Sequence, residues 1–239
     1  MKIEGKNNIR ELLKKEDVAV DKVLVENFLK DRESKELIAK MREKKFKVQF
    51  VDKKVLDGES ESKRHQGFIA YATEYKYAEL DDIISSVKGD GLIVIADSVT
   101  DPHNLGSIVR ICECVGADGL IIGKHRAVSV NDTVLRVSEG AANHVKIARV
   151  TNINDAILKL KDNFYNVIGA EADGENLYDA KLSGNIALVV GGEDTGIKTL
   201  TRKYCDRVVS IPMYGKLNSL NVSVALGICA FEIKRKLKG

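Results

Sequence analysis

Three short stretches hold the residues whose types and spacing could do chemistry. In the first, Asp101-Pro102-His103-Asn104 is followed six positions later by Arg110. Asp101-Pro102 suits a helix start, with the acid as cap and the proline in the first turn. An arginine near that start, beside Asn104 and His103, suits a bound anion, because a guanidinium offers a planar fork of donors. An ordinary surface ion pair is the other reading of it. The second stretch is Gly191-Gly192-Glu193-Asp194-Thr195-Gly196. Its glycine spacing fits a phosphate-binding loop, but Ile197 intervenes before Lys198-Thr199 and the two acids would repel phosphate. Acids beside a glycine turn better suit a cationic ligand or a hydroxyl donor. The third runs from Ile211-Pro212-Met213 to Ser219-Leu220-Asn221. There Val222, Ala225, Leu226, Cys229 and Ile233 recur with the period of one helix face, so Ser219 and Asn221 stand at a helix entrance and either could cap it. The four histidines and four cysteines show no ligand spacing, and no metal site is expected.

The elements that must position these stretches follow from the apolar pattern. Continuous apolar runs at 92–96, 119–122, 145–148, 165–169, 186–190 and 208–211 read as strands buried on both faces of a parallel sheet. Helical patterns separate most of them, at 105–115, 153–161 and 200–205, with a last helix from 221. Such alternation implies a doubly wound open α/β sheet with its ligand at the carboxyl ends of the strands. No G-x-G-x-x-G turn follows any strand, so the ordinary dinucleotide grip is missing. Residues 1–76 form a separate small α/β unit, with helices at 7–15 and 34–45 and strands at 20–25, 47–51 and 67–72; the charged, weakly patterned stretch 77–90 reads as a linker to a domain over 91–239. A polar loop at 57–67 gathers Lys63, Arg64, His65 and Gln66, which could grip a phosphate backbone.

The 239 residues are 44% hydrophobic and 31% charged, an ordinary globular composition. The net charge of +3 is too small to identify a nucleic-acid binder, yet residues 1–76 hold 19 Lys+Arg against 15 Asp+Glu, so the basic excess is N-terminal. No apolar run is long enough to span a bilayer and the first residues lack a signal-peptide core, so a cytosolic location is expected.

Taken together, Thr100-Asp101-Pro102-His103-Asn104-Leu105-Gly106 with Arg110, Gly191-Gly192-Glu193 with Gly196, and Ser210-Ile211-Pro212-Met213 leading to Ser219-Leu220-Asn221-Val222-Ser223 resemble, in order and spacing, the three signature motifs of the SpoU (TrmH-like) RNA ribose 2′-O-methyltransferases. The resemblance spans about residues 92–236. The N-terminal unit, with Gly5-Lys6-Asn7 and His65-Gln66-Gly67-Phe68, is similar to the ribosomal-protein-like RNA-binding domain of the subgroup that modifies a guanosine of large-subunit (23S) rRNA. The resemblance implies an α/β-knot domain, a deep trefoil knot and so an exception to the rule that chains avoid threading. It implies S-adenosylmethionine as cofactor, bound by Gly191, Gly192, Ile211 and Leu220, and catalytic surroundings made of Asn104, Arg110, Glu193, Ser219 and Asn221. It also implies a homodimer whose second subunit completes the site. One departure is Asn143, where the subgroup more often carries an acid.

Methyl transfer to a ribose 2′-OH requires that the hydroxyl lose its proton and that oxygen, methyl and sulfur lie in line. A guanidinium stays protonated and is a poor base. Arg110 is therefore expected to fix the target phosphate and stabilise the developing alkoxide, with Asn104 orienting it and Glu193 or a phosphate oxygen taking the proton. Three other readings are carried alongside: a P-loop-like hydrolase on Gly191–Thr199, a non-catalytic RNA-binding protein, and the same chemistry on tRNA.

Overall fold

The computed structural model describes residues 2–14, 18–73, 75–192 and 196–238. The chain divides into two compact units, Met1–Lys76 with Ser129–Asp132, and Tyr77–Val128 with Thr133–Gly239.

In the first unit, β1 (Lys2–Glu4), α1 (Lys6–Lys14), β2 (Ala19–Glu26), α2 (Arg32–Glu43), β3 (Val48–Val51), α3 (Lys53–Glu59) and β4 (Phe68–Thr73) build a four-stranded sheet in the order β1-β4-β2-β3. β2 and β3 are parallel, and β4 runs antiparallel to β1 and β2. The alternation along β2 sends Val23 and Val25 to a core shared with Ile9, Leu12, Met41 and Phe68, and Leu24 to the other face with Leu56 and Ile69. Asp31 caps α2 by accepting from the Ser34 N–H at 2.9 Å, which starts the helix ahead of the expected 34. β1 and α3 escape the periodicity reading because one is three residues long and the other buries only Leu56. The polar loop expected at 57–67 therefore begins inside a helix.

The second unit comprises α4 (Leu80–Ser86), β5 (Leu92–Asp97), α5 (Pro102–Val115), β6 (Gly119–Gly123), α6 (Asp132–Val137), a 3-10 turn (Ala141–Asn143), β7 (Ile147–Val150), α7 (Ile153–Asp162), β8 (Asn166–Asn176), β9 (Ile186–Gly191), α8 (Thr199–Tyr204), β10 (Arg207–Ser210) and α9 (Val222–Lys238). All six strands are parallel, in the order β10-β8-β9-β5-β6-β7. Every residue of β5 is buried: Ile93 and Ile95 pack against Ile157 and Leu160 of α7, and Leu92, Val94 and Ala96 alternate to the opposite face. Helices α5 and α9 pack on each other. The stretch 77–90, expected to be a linker, instead folds as part of this unit: Ile83 of α4 is fully exposure-free in the same core as Ile93 and Ile157. Its one fully buried residue per helix is too sparse to register as a period.

The strand order brings the three chemical stretches together. From β5 the chain builds outward through β6 and β7, then crosses over to lay β8 two places away on the other side, β9 between β8 and β5, and β10 outside β8. Because all strands point one way, the segments leaving β5, β9 and β10 emerge at the same end of the sheet.

β8 is also longer than its apolar run. It pairs with β9 over Asn166–Gly169, and with β10 at Ile168 and Gly169 and again at Glu175 and Asn176, so residues 170–174 bow out between two fixed feet.

Candidate functional site

A cavity of about 410 Å³ opens at that end of the second unit. It lies within the usual range for small-molecule sites. Its walls are the bow of β8 (Ala170, Glu171, Ala172 and Asp173), the turn after β9 (Gly191, Gly192 and Gly196), the segment after β10 (Ile211, Met213 and Asn218 to Leu220), and Val222, Ala225 and Cys229 of α9.

The glycines are required by backbone proximity. A Cβ on Gly191 would lie 1.9 Å from the Gly196 carbonyl carbon, and one on Gly192 would lie 2.5 Å from the Ser98 oxygen. The turn closes on itself with the Gly196 N–H donating to the Gly192 carbonyl at 3.0 Å. Two carboxylates hold its exit. The Ile197 N–H donates to Glu171 Oε1 at 2.9 Å. The Lys198 N–H donates to Asp97 Oδ2 at 3.2 Å, while Lys198 Nζ and Ser98 Oγ reach Asp97 Oδ1 at 3.1 and 2.9 Å. Asp97 is fully buried at the end of β5, and these donors satisfy a carboxylate that would otherwise be costly to bury.

The charged side chains on the wall form a network. Arg202 of α8 pairs with Glu171 and grips Asp173 with both terminal nitrogens, at 2.8 and 2.9 Å. The Arg202 hydrogen bonds hold the Asp173 carboxyl below the usual carboxylate range. Cys229 faces the same cavity, and burial pushes its thiol up to about 12. It is therefore a neutral, poorly nucleophilic thiol at neutral pH.

Of the residues singled out from sequence, Gly191, Gly192, Ile211, Ser219 and Leu220 all line the cavity. Asn221 follows them directly and has two roles. Its Oδ1 caps α9, accepting from the Ser223 N–H at 2.9 Å and Ser223 Oγ at 2.7 Å, while its Nδ2 donates to Asn104 Oδ1 at 2.9 Å. Asn104 thus joins the third stretch from the first turn of α5, whose cap is Asp101, accepting from the His103 N–H at 3.0 Å. Arg110 is not on the cavity wall. It is half-exposed on α5, paired with Glu139 at 2.9 Å. Glu193 lies outside the described residues. Glu171, Asp173 and Arg202 went unnoticed in the sequence, where no spacing marks them, and Cys229 reads there only as one of the apolar residues on the face of the last helix.

In the first unit, Lys63, Arg64 and Gln66 are exposed, with Lys63 and Gln66 at φ of 57° and 50°. His65 is buried: Nε2 meets Asp57 Oδ1 at 2.9 Å and Nδ1 accepts from the Gly67 N–H at 3.0 Å. Gln66 Oε1 accepts from the Lys6 N–H at 3.0 Å, tying this turn to the Gly5-Lys6 turn.

Residues 91–231 match the SpoU rRNA Methylase family, and residues 2–78 match the RNA 2′-O ribose methyltransferase substrate-binding family. The chain is 40% identical over 226 residues to the 23S rRNA (guanosine-2′-O-)-methyltransferase RlmB of Haemophilus influenzae, covering 90% of this chain and 91% of that one. Among solved structures it is similar to the SpoU methyltransferase AviRb of Streptomyces viridochromogenes in complex with AdoMet, with a TM-score of 0.64, 24% identity, and coverage of 98% of this chain and 89% of that chain. It is also similar to the A. aeolicus TrmH/SpoU tRNA modifying enzyme, with a TM-score of 0.57, 30% identity, and coverage of 66% of this chain and 80% of that chain.

Proposed function

From the membership of this chain in the SpoU rRNA methylase family, which makes it an RNA ribose 2′-O-methyltransferase, we propose that it methylates a guanosine of 23S rRNA and binds S-adenosylmethionine in the cavity at the end of β8, β9 and β10. The observation that carries the cofactor assignment is the convergence of Gly191, Gly192, Ile211 and Leu220, from two separate segments, on one cavity. The glycine turn and the Ile211 and Leu220 segments supply backbone and apolar wall to an adenosine-sized ligand, and S-adenosylmethionine supplies a sulfonium methyl when bound there. Cys229 does not compete for that methyl, because burial keeps its thiol protonated.

The chain's own residues then act on the RNA. Arg110 holds the target phosphate and stabilises the alkoxide as it forms. Asn104 orients the ribose side, itself held by Asn221, and Ser219 borders the cavity where the 2′-OH must approach. Glu193 or a phosphate oxygen takes the proton. Arg110 lies off the wall of the cavity in its own chain and is exposed on α5, which supports its delivery from a second copy in a homodimer. Exposed Val224 and Phe231, seven positions apart on α9, support an interface there. We further assign the knotted topology of the family to the second unit. In the first unit, Lys63, Arg64 and Gln66 contact RNA, with His65 anchoring their loop.

rRNA is favoured over tRNA because the likeness to RlmB runs through the first unit as well, whereas the likeness to the tRNA modifying enzyme covers 66% of the chain. The test is to methylate total RNA from cells lacking this protein with labelled S-adenosylmethionine and map the modified ribose. Label at one 23S guanosine is expected; label confined to tRNA overturns the rRNA assignment.

A further inference from the structure

The glycine turn is shaped by its own backbone, but its position against the cavity is set from outside. We propose that Glu171, in the bow of β8, is a positioning residue for methyl-donor binding, acting through the backbone N–H of Ile197. The proposal rests on the reading of the cavity as the donor's site.

Three observations converge on Glu171. Its side chain is only 16% exposed, and it lies on the cavity wall against the glycine turn. Its Oε1 accepts from the Ile197 N–H at 2.9 Å, and a Cβ on Gly196 would come within 2.7 Å of the same oxygen. Gly196 has a φ of 62°, so this position needs glycine both for its conformation and for the carboxylate seated on it. Its other oxygen is paired with Arg202, whose bidentate hold on Asp173 fixes the guanidinium plane. Glu171 is thus oriented from one side and grips the turn from the other.

The consequence is mechanical. Successive N–H groups at Ile197 and Lys198 go to carboxylates on two different strands, Glu171 on β8 and Asp97 on β5. Since Gly191 is in backbone contact with Gly196 and Ile197, a shift of Ile197 moves the wall at Gly191. Asp97 is buried and serves the fold; Glu171 faces the cavity and serves the ligand. A carboxylate fits this position better than an amide, because two acceptors are needed at once, one for a backbone N–H and one for a guanidinium. Glutamine offers a single carbonyl oxygen.

The test compares Glu171→Ala, Glu171→Gln and Arg202→Gln in the full chain, reading the Kd for S-adenosylmethionine, the Kd for RNA, kcat with saturating donor, and Tm. Glu171→Ala is expected to weaken donor binding at least about 10-fold, as loss of a charged hydrogen-bond partner does, with the RNA Kd and kcat within about two-fold. Glu171→Gln and Arg202→Gln are expected to fall between Ala and wild type. The proposal is overturned if Glu171→Ala binds donor like wild type, or if donor affinity, RNA affinity and Tm fall together with no rescue by Gln. Ala225→Phe, which fills the cavity from α9, separates the two levels. If it abolishes donor binding while Glu171→Ala does not, only the role of Glu171 fails; if it leaves donor binding intact, the cavity assignment fails too, and the role of Glu171 with it.

Discussion

Arg110 and Asn104 share α5 yet have different surroundings. Asn104 is tied to Asn221 at the foot of α9, whereas Arg110 is half-exposed and held by Glu139 across a surface ion pair. Such a pair contributes little and can be exchanged for a phosphate, since an exposed ion pair is worth about 0–1 kcal/mol. Lysine at this position would keep the charge but lose the fork that spans two oxygens. Arg110→Lys should therefore cut single-turnover methylation with saturating RNA on the order of 100-fold while leaving the S-adenosylmethionine Kd unchanged. A wild-type rate in that variant would remove Arg110 from the chemistry.

At the level of elements, the glycine turn after β9 is where sequence and structure bind most tightly. Gly191→Ala would drive a methyl into the Gly196–Ile197 backbone, so donor affinity should fall about 10- to 100-fold as the turn is pushed off its anchors, and calorimetric titration would read it directly. The sequence announced this turn, because paired glycines after a fully buried strand have few uses. It announced β5 and β9 equally well, since both faces of each are covered and the residues read as unbroken apolar runs. It did not announce α3 or α4, each of which buries a single side chain completely, or nearly so, and so has no period to detect. Nor did it announce Glu171 and Arg202. They meet across 31 positions, and only the pairing of β8 with β10 brings the bow alongside α8. The placement of Arg110 off the cavity wall was equally invisible, because helical spacing says which residues share a face and not what that face meets.

For the molecule as a whole, the assignment of Arg110 to one subunit and the donor cavity to the other makes a quantitative prediction. At sub-saturating donor Arg110→Lys and Gly191→Ala are each strongly impaired alone, but mixed under exchange they should recover activity. Random pairing makes about half the dimers mixed, each with one intact and one doubly damaged site, so about a quarter of wild-type activity is expected. No recovery on mixing would place both groups in the same subunit. The bow of β8 bears on a different question. Its ends are pinned by β10 at Gly169 and Glu175, while the span between them forms one side of the chamber. The span can change length without shifting the registers on either side so long as Glu171 keeps its seat on the Ile197 N–H, because lengthening a closed loop costs little extra entropy. The chamber is in this sense a bay window: its depth can be refitted for a bulkier or slimmer guest while the masonry around it stays where it is.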